Sequence, residues 1–369
     1  MTISGVKLVL EDGTEMRGDA FGAHRPVSGE VVFNTGMTGY VETLTDPSYK
    51  GQILVMTYPL VGNYGVPPQR EPGSIDPPYE SDGIQVQGLI VQSYVEQYSH
   101  HAACRSLGAW LKADAIPAVC GIDTRTLTRR LREHGTMRGW LVPDGCSLDD
   151  AKQGDASVEM THEVFRSVAP AEPIRYEGGE LKVLAVDVGI KDNIIRSLLT
   201  RGATVTRAPW HAELGRLAKD ADGIVIGNGP GDPKDLGPLM EQVRRLLGQF
   251  ARPIFGICLG NQVLALAAGG DTYKLPYGHR GVNQPVQDLL TRRCHITSQN
   301  HGYAVQDAAL PPEWEPWFVN INDGTNEGIR SRVRPYFGVQ FHPEAKPGST
   351  DTGFLFDDFL RLVGATARR

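Results

Sequence analysis

The chain has 369 residues, 40% of them hydrophobic and 22% charged, a balance that suits two globular domains and excludes a disordered or fibrous chain. A net charge of −6 supplies no basic field for nucleic acid. No apolar run approaches the roughly 20 residues of a membrane span, and the opening MTISGVKLVLEDGTEMRG lacks the charged start and apolar core of a signal peptide.

Residues 1–150 read as one strand-rich domain. Short runs alternate apolar and polar side chains (VKLVLEDG, GEVVFNTG, GQILVMTYP, IQVQGLIVQ) and are broken by Gly, Pro, Asn and Asp. RTLTRRLREHG predicts a short helix stopped at Gly135. Residues 151–180, rich in charge, Ser, Pro and Gly, read as a linker. A second domain, 181–369, begins with the continuous apolar run LKVLAVDVG, the mark of a strand buried on both faces. Strand and helix then alternate: KDNIIRSLLTRG as helix, ATVTRA as strand, DGIVI as strand, LGPLMEQVRRLLGQF as helix, RPIFGI as strand, LGNQVLALAAGG as helix. More strands follow over 282–345, and GFLFDDFLRLVGA closes as a helix. This order predicts an α/β fold with a doubly wound parallel sheet, whose sites lie at the carboxyl ends of its strands.

Four segments of the second domain carry chemistry. In PIFGICLGNQ a buried strand runs into a cysteine flanked by Gly256 and Gly260, and a helix starts at once. Such an elbow presents Cys258 above the sheet, near the positive end of the helix dipole, a position that favours thiolate. Backbone N–H groups there can receive an oxyanion. The alternative reading of the segment taken alone, the weaker of the two, is a small buried apolar cysteine. In GVQFHPE, His342 follows a buried strand and Glu344 lies two residues on, so strand alternation would put both on one side, with Glu344 orienting the ring. GNGPGDP at residues 227–233 lets backbone approach a ligand closely, but lacks the Lys-Ser/Thr of a P-loop and the spacing of a dinucleotide fingerprint. SQNHGY at residues 298–303 offers polar groups at a strand end. The five cysteines (Cys104, Cys120, Cys146, Cys258, Cys294) show no CxxC spacing, which points to reduced thiols in a cytoplasm and to no metal site.

Taken together and in order, GNGPGDP, GICLGNQ, QNHGY and FHPEA resemble the class I, triad-type glutamine amidotransferase domain. VVFNTGMTGYVETLTDPSYKGQILVMTYPLVGNYG resembles the amino-terminal domain of the small-subunit family of carbamoyl-phosphate synthases, and GHRGVNQPV is similar to a segment of that family. The resemblance covers nearly the whole chain. It implies that Cys258 attacks the side-chain amide of L-glutamine, that His342 serves as base and acid, and that Glu344 orients it. It implies a glutamine pocket of Ser48, Gly229, Gly231, Leu259, Gln262, Asn300, Gly302 and Tyr303, with the oxyanion held by N–H groups near Gly231 and Leu259. Ser48 would complete that pocket from the first domain. The resemblance further implies a heterodimer with a large subunit that binds ATP, magnesium and bicarbonate and makes carbamoyl phosphate for arginine and pyrimidine synthesis, with no cofactor in this chain. Asn261 stands where bacterial relatives commonly carry His, and Tyr303 where Phe is frequent. The alternatives are the amidotransferase subunit of another synthase, a catalytically silent regulatory subunit, and a general thiol hydrolase.

Overall fold

The computed structural model describes residues 4–71, 73–153 and 162–367. They form two compact units that divide after Met160. In the first unit the elements run β1 (Gly5–Leu10), β2 (Glu15–Ala20), β3 (Val27–Asn34), α1 (Tyr40–Leu44), β4 (Gln52–Met56), β5 (Leu60–Val61), β6 (Gly88–Ile90), β7 (Ser93–Tyr94), α2 (Leu107–Ala113), β8 (Ala118–Cys120), α3 (Thr124–His134), β9 (Met137–Pro143) and α4 (Leu148–Gln153). Seven of these strands close into a barrel in the order β1-β2-β8-β6-β4-β3-β9. Closure removes the exposed edges that short strands would otherwise leave. Val32, Leu54 and Leu89 from the barrel pack with Tyr49, Trp110 and Leu111 into one core. Helix α3 shows how local sequence sets an element. Asp123 caps it by accepting from the Thr126 N–H at 2.9 Å, Leu127 and Leu131 bury one face, and Gly135 ends it at φ 90°.

The second unit contains α5 (His162–Val168), β10 (Ile174–Tyr176), β11 (Leu181–Asp187), α6 (Asp192–Leu199), β12 (Ala203–Pro209), α7 (Leu214–Leu217), β13 (Gly223–Ile226), α8 (Gly237–Gln249), β14 (Ile254–Ile257), α9 (Leu259–Ala268), β15 (Thr272–Asp288), β16 (Cys294–Val305), β17 (Trp314–Asn320), β18 (Asn326–Ser331), β19 (Tyr336–Val339) and α10 (Phe354–Ala367). One ten-stranded sheet runs β10-β12-β11-β13-β14-β19-β18-β17-β15-β16. The five strands from β12 to β19 are parallel, and the strands on either side of them are antiparallel. The expected parallel sheet is therefore the centre of a larger mixed one.

Alternation along each central strand feeds two helical layers. Ile254 and Ile226 join Leu239, Val243 and Val263 in the core beneath α8 and α9. Phe255, one residue on, points the other way and meets Phe356 and Phe359 of α10 at centroid separations of 5.9 and 5.8 Å. The sheet is thus covered on both faces, which explains the continuous apolar runs of its strands.

The stretch 151–180 is more than a linker. Residues 154–161 lie outside the described residues, but α5 places Phe165 in the main core and β10 pairs antiparallel with β12 as an edge strand. Short length and mixed composition concealed both elements, because their apolar side chains are too few to show a period.

Candidate active site

Strands β14 and β19 are parallel neighbours, with Ile257 opposite Val339. Cys258 lies one residue beyond the first and His342 three beyond the second, so adjacency in the sheet brings the two segments together. The Cys258 N–H still donates to Val339 O at 2.8 Å, continuing the ladder. His342 is clipped to β16 in turn, its N–H donating to Ser298 O at 2.8 Å.

The elbow at Cys258 is sharp. The residue adopts φ 54° and ψ −105°, a left-handed backbone that a side chain rarely tolerates and that marks functional turns. The flanking glycines permit it. A Cβ on Gly256 would stand 2.5 Å from the Gly260 carbonyl oxygen, and one on Gly260 would run into the Ile226 carbonyl of β13. Cys258 is buried, its thiol 3.7 Å from the Asn300 carbonyl and 3.7 Å from Gln340 Nε2.

His342 Nδ1 lies 2.7 Å from Glu344 Oε1. A carboxylate only accepts, so Nδ1 carries one proton, and Nε2 is the nitrogen at which the ring takes up and gives back its second. Nε2 is buried without a hydrogen bond of its own. Burial alone would make the ring less basic, but the Glu344 charge and then the Cys258 thiol raise its pKa to about 10. Glu344 shows the opposite balance: burial pushes it up, and the charges of Lys191 and then His342 hold it down to about 2. The pairing of His342 with Glu344 does not come from strand alternation. β19 ends at Val339, and Glu344 sits in a turn closed by the Ala345 N–H donating to His342 O at 3.1 Å.

Lys191 was not singled out from the sequence. It follows β11, a third parallel strand, and its buried ammonium lies 3.0 Å from Glu344 Oε1. Nζ also donates to Ala345 O at 2.7 Å and Lys346 O at 2.9 Å. Asn193 Nδ2 donates to the Glu344 carbonyl at 2.5 Å. Nothing in VGIKDN distinguishes a buried lysine at a helix start from a solvated one. Gln340 was missed likewise, as one polar residue in an apolar strand end.

The expected glutamine-pocket residues of the second unit gather at this strand end. A Cβ on Gly229 would meet the Val188 carbonyl and stand 3.0 Å from Leu259 Cδ2, so the glycine loop lies against the first turn of α9. Gly231, in the same loop, has φ 79°. Gln262 Nε2 donates to Tyr303 O at 2.8 Å and to Gln340 Oε1 at 3.1 Å. Asn300 supplies the carbonyl at the thiol, and Gly302 follows it in β16, where a Cβ would approach Arg280 Nη2 at 3.3 Å. Asn261 is fully buried against Gly338, and neither of its amide atoms has a hydrogen-bonding partner. Ser48 belongs to the first unit, where its N–H donates to Asp46 Oδ1 at 2.9 Å.

The arrangement can do nucleophilic chemistry: a sulfur on an elbow, an imidazole able to hold its proton, a carboxylate behind it and a buried cation behind that. The family model described as carbamoyl-phosphate synthase small chain, CPSase domain, matches residues 8–141, and that for glutamine amidotransferase class-I matches residues 184–362. The carbamoyl phosphate synthase small chain of Symbiobacterium thermophilum is 50% identical over 366 residues, covering 97% of this chain and 98% of the relative. The carbamoyl phosphate synthase arginine-specific small chain of Neosartorya fischeri is 46% identical over 357 residues, 96% of this chain and 79% of the relative. The mitochondrial carbamoyl-phosphate synthase (ammonia) of Rattus norvegicus is 46% identical over 361 residues, 96% of this chain but only 23% of the relative.

Proposed function

The chain belongs to the carbamoyl phosphate synthase small-chain family, and from that premise we propose that it is the glutaminase subunit that hydrolyses L-glutamine at Cys258 and passes ammonia to a large subunit. The observation that carries the reading is the convergence of Cys258 and His342 at the ends of two neighbouring parallel strands, with Glu344 bonded to the ring at 2.7 Å.

The chemistry runs in two stages. His342 Nε2 takes the thiol proton, and the sulfur attacks the side-chain amide carbon of glutamine. Charge develops on the amide oxygen, and N–H groups near Leu259 and Gly231 receive it; the first turn of a helix leaves such donors without carbonyl partners. The tetrahedral adduct collapses when His342 returns its proton to the leaving nitrogen. Ammonia departs, and a γ-glutamyl thioester remains on Cys258. Water, deprotonated by the same ring, then cleaves the thioester to glutamate and restores the thiol. Glu344 keeps the ring oriented and stabilises its positive form, and Lys191 keeps Glu344 ionised. Gln262, Asn300, Gly302, Tyr303 and Gly229 bind the substrate.

Ammonia released into water becomes ammonium and loses its nucleophilicity, so production inside a complex suits this chemistry. The large subunit binds ATP and magnesium and makes carbamoyl phosphate from bicarbonate for arginine and pyrimidine synthesis. That the matched region is 23% of the longer rat relative supports a functional link to further polypeptide. No helix among the described residues is long and apolar enough to cross a membrane. All five cysteines are free, which supports work in the cytoplasm.

The test is glutamine hydrolysis by wild type and Cys258→Ser, each with and without the large subunit. The variant should lose at least about three orders of magnitude in kcat while ammonia-dependent carbamoyl phosphate synthesis by the complex persists. Substantial glutamine hydrolysis by Cys258→Ser would sink the proposal.

A further inference from the structure

Outside the triad the second unit holds another buried ionisable cluster, and the reaction as written does not use it. His279, on β15, stands directly opposite His301 on β16. A register shift between Lys274 and His279 produces this pairing, and Gly278 at φ 69° accommodates it. Both rings of the pair are buried, and so is Glu327 of β18. His279 Nδ1 lies 3.2 Å from Glu327 Oε1, and its Nε2 lies 2.8 Å from Asp323 Oδ2. Two carboxylates flank one ring, an arrangement that stabilises imidazolium, and His279 is raised accordingly against the opposing pull of burial. Asn320 Nδ2 also donates to Glu327 Oε1 at 3.2 Å.

The ligand atoms of His279, His301 and Glu327 lie within 4.8 Å of one another, close enough to consider a metal ion. The hydrogen bonds argue otherwise. Every ring nitrogen of the two histidines already has a partner, and a metal would have to displace them. The cluster instead connects to the nucleophile. His301 Nδ1 donates to Tyr303 O at 2.8 Å, and the same carbonyl accepts from Gln262 Nε2 at 2.8 Å. Gln262 reaches Gln340 Oε1 at 3.1 Å, and Gln340 Nε2 lies 3.7 Å from Cys258 Sγ. Burial and the His279 charge push His301 well below its ordinary range, so the ring stays neutral, held between the Tyr303 carbonyl at Nδ1 and Gln299 Oε1 at 3.2 Å from Nε2.

We propose that His279 and Glu327 are a positioning pair for substrate binding: their ion pair, packed against the His301 ring, fixes the Tyr303 carbonyl and so the Asn300–Tyr303 segment on which glutamine docks. The His279 and His301 rings meet edge to face at 5.0 Å, and His301 Nε2 lies 3.9 Å from Glu327 Oε1, so neither partner can move without freeing that ring. Asp323, exposed at the far side of His279, is the outer end of the chain of contacts. The inference rests on the glutaminase reading above.

The test uses the full chain with its large subunit and measures glutamine KM and kcat for wild type, Glu327→Gln, His279→Gln and the double variant. Each single change should raise KM by about tenfold and leave kcat within about twofold. The double variant should be no worse than the poorer single, as for residues that act as a unit. Ammonia-dependent synthesis should be unchanged throughout. An unaltered KM in His279→Gln, a loss confined to kcat, or additive effects in the double variant would overturn the proposal. If Glu327→Gln does not fold, the KM of His279→Gln decides alone. A wild-type complex inactive on glutamine would instead defeat the glutaminase reading, before any variant is compared.

Discussion

Glu344 is buried between two positive partners, Lys191 at 3.0 Å and His342 at 2.7 Å, and the pH behaviour of the site follows from that placement. Its folded pKa of about 2 lies below its ordinary value of 4.5, so its contribution to stability is complete above pH 4.5 and is lost as pH falls towards 2. His342 is raised from 6.5 to about 10, so its contribution is complete below pH 6.5 and is lost as pH rises through 10. Denaturant midpoints followed across pH should therefore show a plateau bounded by these two losses. Lys191→Met removes the largest charge that lowers Glu344. The acid edge of that plateau should move up by about one pH unit or more, and an unmoved edge would show that Lys191 does not set the Glu344 charge. The residues of the proposed triad could be named from the sequence, because Cys258 between glycines and His342 before Glu344 are local patterns. Lys191 and Gln340 were not, since their meaning lies in contacts with segments remote in the chain.

The strand–cysteine–helix elbow between β14 and α9 depends on close backbone approach. Gly260→Ala would press a methyl group against the Ile226 carbonyl, which belongs to a central strand and cannot yield as a flexible side chain would. The expected cost is about 2–3 kcal/mol, read as a lower denaturant midpoint, together with slower labelling of Cys258 by a thiol reagent. The loop that carries Lys191 has its own support. Asp187 Oδ1 accepts from the Gly189 and Ile190 N–H groups at 2.7 and 2.8 Å, while Arg207 bonds Asp187 at 2.5 Å and Asp192 at 3.0 Å. Arg207→Met would leave two buried carboxylates without their cation and should destabilise by roughly 3–5 kcal/mol. Calorimetry of that variant beside Arg207→Met with Asp187→Asn should show partial recovery in the pair. The elbow could be read from its glycines and the apolar run before it. The edge strand β10 could not, because three residues carry no period.

The sequence carries no P-loop or kinase signature, and on the proposed function the ammonia would meet its acceptor on the large subunit. Added large subunit should raise glutamine turnover well above that of the isolated chain, with turnover followed as glutamate release during titration of the partner. Equal rates with and without it would argue against coupled function. The two-part organisation was visible as a change from alternating to continuous apolar runs near residue 181, and the two family matches fall on either side of that change. Barrel closure was not visible, because a run such as GQILVM states that a strand is buried but not which strand lies beside it.

Periodicity, glycine placement and the composition of short motifs are properties of neighbouring residues, and they were enough to give an α/β second half and to single out the proposed nucleophile and the histidine–carboxylate pair. Which strands adjoin is a property of the folded chain. Only the placement of β19 beside β14 brings His342 to Cys258, only the turn after β19 swings Glu344 behind the ring, and only the packing of β15 against β16 sets His279 beside His301. Contacts between distant segments leave no period in the chain, because each is specified jointly by cores and ladders that no single window contains.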